Sequence, residues 1–308
     1  MIDRKDFAQL VAEAMKNPDV AHMRPVIEKE LLHFDLLYAL DQGGLLDNLV
    51  FQGGTSLRLC YGGSRFSEDL DFAGGPDFTS HQLADIKQCL EDYLSSRYGL
   101  EVTVKEPNSL RREPEYADIK IDKWQIGITT SPEKRDIPKQ KIKLEVANIT
   151  AHTSHALPLQ VHYDFLPPGY GDLLVMVETS NEIMADKLIA LPSNTRYVRN
   201  RDIWDLAWLA QRGCTVDADL VRAKVDDYKH DMDTYLQHVD SLLERLPGIV
   251  AGKDFIGEMQ RFLPVDAFDR TLANPKFQGY LQSALGNLFD TVQSELSSKP
   301  SSGPVFRM

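Results

Sequence analysis

The stretch FQGGTSLRLCYGGSRFSEDLDF, from Phe51 to Phe72, constrains the fold more than any other part of the chain. It reads as a strand end, a glycine pair, a short helix carrying TSLRLCY, a turn at GGSR and a second strand carrying FSEDLDFAG. Alternate side chains on a strand share a face, so Asp69 and Asp71 project together while Leu70 enters the core. Like charges so close call for a cation, and Mg²⁺ bound through carboxylates, waters and substrate phosphates meets that need. Taken alone, the two aspartates could also mark a solvated acidic turn. The residues before them favour the first reading. Gly53 and Gly54 permit close backbone approach, and Thr55 or Ser56 at a helix start adds a hydroxyl to free N–H groups, which together suit a triphosphate. An ordinary helix cap would use the same residue types, but a glycine turn, a helix and paired acids in this order point to a nucleotide and metal site.

The surrounding segments supply a sheet and then helices. Residues 3 to 47 are expected to be helical: VIEKELLHFDLLYAL, from Val26, spaces apolar residues by three and four, and Pro25 suits a helix start. SHQLADIKQCLEDYLSSR, 80 to 97, is an amphipathic helix with Ser80 as N-cap. Strands are expected at EVTVK (101 to 105), YADIKIDKW (116 to 124), KIKLEVANI (141 to 149) and LLVMVE (173 to 178). After that the pattern turns helical through SNEIMADKLIALP and RDIWDLAWLAQRG to about Glu295. The expectation is an α/β (α+β) bi-lobed chain: a sheet domain with N-terminal helices over 1–180, a helical C-terminal domain over 181–296 and a disordered tail over 297–308, SKPSSGPVFRM with its preceding serine.

Charge limits the function classes. Lys and Arg total 34 against 46 acidic residues, a net charge of -12, so the chain is no general nucleic-acid coat and any such contact must be local. Arg196, Arg199 and Arg201 in NTRYVRNRD form the one basic cluster noted, either a phosphate or RNA backbone contact or simply a basic loop. Cys60, Cys89 and Cys214 show no zinc or disulfide spacing, which fits a reducing cytoplasm. The polar start and the lack of a long apolar run indicate a soluble cytoplasmic chain with no membrane segment. His152 and His155, in HTSH, read as surface loop residues rather than metal ligands.

The opening stretch resembles the signature of the AbiEii/AbiGii-type nucleotidyltransferases, which include the MenT toxins and belong to the DNA polymerase beta-like superfamily. The resemblance implies that the turn at Gly53, Gly54, Thr55 and Ser56 binds the triphosphate. It also implies that Asp69 and Asp71, with a third carboxylate, bind two Mg²⁺ ions. KIKLEVANI resembles the family's later strand and makes Glu145 that third carboxylate, alternating on one face with Lys141 and Lys143; a solvated face is its other reading. EIMADKLIAL, from Glu182, resembles the helix motif whose lysine, here Lys187, reaches the phosphates. RDIWDLAWL resembles the last motif and assigns Asp202 to orienting Lys187 or the acceptor. Arg58 and Arg65 are secondary phosphate candidates, and Gln52 stands where relatives often carry lysine.

The implied reaction is attack of an acceptor hydroxyl on the α-phosphorus of an NTP with loss of pyrophosphate. Relatives act as toxins in toxin–antitoxin or phage-defence systems, several by adding pyrimidine nucleotides to the 3′ end of tRNA. The expectation is therefore a Mg²⁺-dependent toxin that blocks translation through tRNA and has a cognate antitoxin. Two alternatives stay open: nucleotidylation of a protein or small-molecule hydroxyl, and a catalytically silent nucleotide-binding interaction module.

Overall fold

Period-two alternation between residues 50 and 178 resolves into one mixed sheet. The computed structural model describes residues 6–107, 121–133 and 138–297. Its strands are β1 (Val50–Gln52), β2 (Leu70–Ala73), β3 (Val102–Lys105), β4 (Ile121–Ile128), β5 (Gln140–Ala147), β6 (Ser154–Pro158) and β7 (Leu174–Glu178). Among the described residues they lie in the order β3-β4-β5-β2-β1-β7-β6. The pairs β1/β7 and β2/β5 are parallel and the others antiparallel.

One face of the sheet is apolar. Phe51, Leu70, Phe72, Trp124, Ile142 and Leu144 are buried there and share a core with helices α1 (Phe7–Ala14), α2 (Arg24–Gln42) and α4 (Ile86–Tyr98). Burying such side chains contributes about 1.5–3 kcal/mol each, the drive that fixes which face turns inward. The opposite face carries Asp71, Glu145 and the strand lysines, because register and alternation leave them no other side. Helix α2 is so deeply set that Glu28, Glu30, His33 and Asp35 are buried too, each with a partner: Glu30 with Arg58, for example, and Asp35 with Arg97.

Helix α3 (Gly53–Tyr61) links β1 to the β2 approach. After β7 come α5 (Ser180–Ser193), α6 (Asn200–Gln211), α7 (Ala218–Asp227), α8 (Met232–Ala251), α9 (Lys253–Gln260), α10 (Val265–Arg270) and α11 (Pro275–Ser297). They enclose a second apolar core running from Ile183 to Val292. Leu57 of α3 belongs to this second core, whereas Phe262 belongs to the first, so the two interlock.

Local departures from expectation have simple causes. HTSHALP is not all loop: Ser154–Pro158 is an edge strand against β7, and its exposed polar side chains concealed it. Residues 80 to 97 are not one helix. Thr79 caps a 3₁₀ turn at Ser80–Leu83, where Gln82 Oε1 accepts from Thr79 N at 3.2 Å, and α4 begins only at Ile86. Of YADIKIDKW, residues 116 to 120 lie outside the described residues, as do residues 3 to 5 of the N-terminal helical stretch and 298 to 308 of the tail. The cysteines are free.

Candidate active site

Sheet register assembles the acids. Gln52 lies opposite Asp71, Asp71 beside Glu145 and Glu145 beside Lys123, a single row across β1, β2, β5 and β4. Asp69 precedes β2 and also faces the cleft. Its carboxylate accepts from Lys143 N at 3.1 Å and meets Lys143 Nζ at 3.4 Å, while Glu145 meets Lys123 Nζ at 2.9 Å. Among the described residues Asp71 has no such close cation. Burial, then repulsion from Glu145 and Asp69, pushes its carboxyl up to about 7 against the opposing pull of Lys187 and Arg199.

The glycine turn is built around that carboxylate. Gly53 has φ +78, and a Cβ there would sit 2.9 Å from Asp71 Oδ2, so both conformation and space require glycine. A Cβ at Gly54 would lie 2.2 Å from Arg65 Nη2. Gln52 precedes α3 without capping it through its side chain, which leaves the first-turn N–H groups facing a potential anion. Thr55 and Ser56 are buried and turned inward: Thr55 Oγ1 donates to Asp69 O, and Ser56 Oγ donates to Gly53 O at 2.8 Å. Their hydroxyls shape the turn, so a triphosphate would meet backbone rather than these side chains.

Arg58 requires a correction. Its Nε and Nη2 donate to Glu30 at 2.7 and 3.1 Å, its Nη1 donates to Gly63 O at 2.9 Å, and its guanidinium lies over the Phe66 ring. It fastens α3 to α2 and does not line the cleft.

The helices after β7 add the cations. Lys187 on α5 is buried, with Nζ 2.8 Å from Asp202 Oδ1 and 2.7 Å from Asp205 Oδ2 on α6. Asp205 also accepts from Arg65 Nε at 2.6 Å and from Arg65 Nη2, and Asp202 accepts from Arg199 Nε. Burial alone would raise the Asp202 carboxyl; Lys187 and Arg199 instead hold it well below the usual carboxylate range. Burial would likewise discharge Lys187, but Asp202 and Asp205 keep its pKa raised. Three cations and two acids thus leave net positive charge beside the Asp69, Asp71 and Glu145 cluster. Asp205 is not among the residues singled out in the sequence; its spacing of three from Asp202 is the signal for a shared helix face.

These groups converge on a cleft of about 510 Å³ lined by Gln52, Gly53, Asp69, Asp71, Glu145 and Lys187. An adjoining recess of about 180 Å³ extends it to Gly54, Arg65 and Asp202. A hollow of about 550 Å³ near Ala39, Cys89 and Arg97 contains none of these residues. The far wall holds Tyr228, His230 and Asp186, which sequence reasoning did not nominate. Behind it Lys224 is fully buried against Glu182, Glu178 and Asp186 at 2.7, 3.1 and 3.2 Å, so Glu182 of the helix motif anchors the wall. Arg199 and Arg201 both border the cleft from the start of α6, although Arg201 also meets Glu68 and Glu258 at 3.4 Å; Arg196 is exposed and borders neither space. His152 pairs with Asp227 and His155 with Tyr61, away from the cleft chemistry.

The oxygen donors of Asp69, Asp71 and Glu145 suit a hard divalent cation. Gln52 Oε1 adds a buried acceptor that receives no hydrogen bond among the described residues. In the present side-chain positions Asp69 and Glu145 are turned to their lysines, and among the described residues no three acid, imidazole or thiol groups converge on one point. The donor set fits the ion chemically; rotation of the two outer carboxylates is what coordination would demand.

A family model described as nucleotidyl transferase AbiEii toxin, type IV toxin–antitoxin system, matches residues 35–291, which include the whole cleft. Among solved structures, the nucleotidyltransferase toxin MenT4 from Mycobacterium tuberculosis aligns with a TM-score of 0.54 and 23% identity, covering 93% of this chain and 91% of that one. JHP933 from Helicobacter pylori aligns with a TM-score of 0.47 and 15% identity over 88% of this chain and 94% of that one. The first likeness shows a shared fold, a mixed sheet followed by helices; the second carries no further weight. No curated protein gives a significant match.

Proposed function

The chain belongs to the AbiEii nucleotidyltransferase toxin family, and from that premise we propose that it transfers a nucleoside monophosphate from a pyrimidine NTP to the 3′ end of tRNA. The observation that carries this reading is the Asp71–Glu145 pair packed under Gly53 and faced by Lys187. Two Mg²⁺ ions, held by Asp69, Asp71 and Glu145, would lower the pKa of the acceptor hydroxyl and offset charge on the departing pyrophosphate. Gly53, Gly54 and the first-turn N–H groups of α3 would bind the triphosphate. Lys187 and Arg199 border the same space and offset its charge, with Arg65 at the recess. Asp202 and Asp205 are positioning residues: they keep Lys187 charged and fixed. In the cell this activity would block translation in the cytoplasm, restrained by a cognate antitoxin and serving growth control or phage defence.

The test is incubation of the protein with Mg²⁺, each α-labelled NTP in turn and total RNA, followed by denaturing electrophoresis, with Asp71→Ala as control. Label on the tRNA band with CTP or UTP, absent from the variant, is expected. Label on proteins or on an added aminoglycoside instead would replace the acceptor while keeping the centre. No Asp71-dependent label on any acceptor would leave a silent binding module.

A further inference from the structure

The polar face of the sheet extends beyond the carboxylates into a stretch that the mechanism above does not use. On β3, β4 and β5 the side away from the core carries Lys105, Lys123, Gln125, Lys141 and Lys143, all on register: Lys105 pairs with Gln125, Gln125 with Lys143, and Lys123 with Glu145. The four lysines are exposed, whereas their neighbours Val104, Trp124, Ile142 and Leu144 are buried on the other side. Glu145 is the single acid on this face within those three strands. In a chain of net charge -12, four lysines against one acid is a marked local reversal. The face runs directly into Asp71, the register neighbour of Glu145.

We propose that this face is the surface along which the sugar–phosphate backbone of an RNA acceptor approaches the carboxylates. The proposal rests on the nucleotidyl-transfer reading with an RNA acceptor and adds the residues that receive it. Lysines two residues apart on a strand stand about 6.5–7 Å from each other, and neighbouring strands about 4.8 Å apart, so the face offers a two-dimensional array of cations rather than a single point. Such an array binds phosphates without reading bases, which suits an enzyme that must seat a 3′ end. Lys123 and Lys143 touch Glu145 and Asp69, so they bridge the surface to the reaction centre. Lys105 and Lys141 make no ion pair among the described residues and touch none of the three acids, so they can be changed without disturbing the centre. A polyanionic strand fits this face better than an acidic protein patch, since within these strands its one exposed large apolar side chain, Ile121, lies beside Lys123 at the end of β4 and not among Lys105, Lys141 and Lys143.

The experiment is fluorescence anisotropy of labelled tRNA with the full chain from 50 to 300 mM KCl. The wild type is compared with Lys105→Glu/Lys141→Glu and with the milder Lys105→Gln/Lys141→Gln, each checked by circular dichroism. The charge-reversed pair is expected to weaken binding at least about tenfold, and both pairs to flatten the slope of log affinity against log salt by about 1.4, two single-strand phosphate contacts. NTP binding should be unchanged in both. Unchanged affinity and slope in both folded variants, with tRNA still labelled in the transfer assay, would overturn the proposed surface and leave the transferase reading intact. Labelling of proteins rather than RNA, or no tRNA binding by the wild type at 50 mM KCl, would overturn the surface together with the acceptor.

Discussion

Gly53 shows how much of the site depends on a side chain that is not there. Its positive φ and its contact with Asp71 both exclude a Cβ, so Gly53→Ala is expected to cost about 1–2 kcal/mol in backbone strain and to displace Asp71, with a large fall in transfer rate. A urea titration together with a rate measurement checks this; a stable variant of normal rate would contradict it. His33 sets part of the acid stability. Burial pushes its imidazole down to about 4 from its ordinary value of about 6.5, with the Glu68 carbonyl at 3.0 Å opposing. A depressed pKa favours the neutral form, so this stability is complete above about pH 6.5 and is lost as pH falls toward 4, up to about 3 kcal/mol. His33→Gln should flatten the melting temperature profile in that window. That Asp69 and Asp71 share a face was legible in the sequence because strand alternation fixes a face without knowledge of partners, whereas Glu145 was reached only through the family resemblance. Arg58 was not, because the acid that claims it, Glu30, lies 28 positions earlier on another helix.

At the scale of elements, α3 and α6 do different work with similar ion pairs. Arg58 ties α3 to α2 and lines neither the cleft nor its recess, whereas Asp205 on α6 holds Arg65 and Lys187 at the cleft edge. Breaking either buried pair should destabilise by about 3–5 kcal/mol. Only Asp205→Asn should also raise KM for the NTP; folded Arg58→Met should keep it near the wild-type value. Equal effects on KM would show that Arg58 reaches the nucleotide after all. The i, i+3 spacing of Asp202 and Asp205 was readable in the sequence. The link from Asp205 to Arg65 was not, because it spans 140 residues. Strand β6 escaped detection for another reason: an edge strand needs no apolar alternation, so its pattern is no different from that of a loop.

Across the whole molecule, the cleft exists because two apolar cores are joined through α3 and Phe262, with the acids contributed by the sheet and the buried lysine by the helices. The sheet half was legible from residues 50 to 178 because its strands alternate; the wall formed by Tyr228 and His230 was not, since helix packing brings them there without any motif. Among the described residues no helix is long and apolar enough to cross a membrane. The account stands or falls on Asp71, where the sheet, the glycine turn and the cation network meet. Its most direct test is transfer of α-labelled nucleotide to RNA by Asp71→Asn beside the wild type at pH 8, with melting curves for both. Transfer is expected to fall by at least about 10²–10³-fold. The melting temperature should hold or rise, because a carboxyl raised to about 7 carries a charge at pH 8 that its buried surroundings oppose and asparagine does not. A folded Asp71→Asn protein that transfers nucleotide at the wild-type rate would contradict the account.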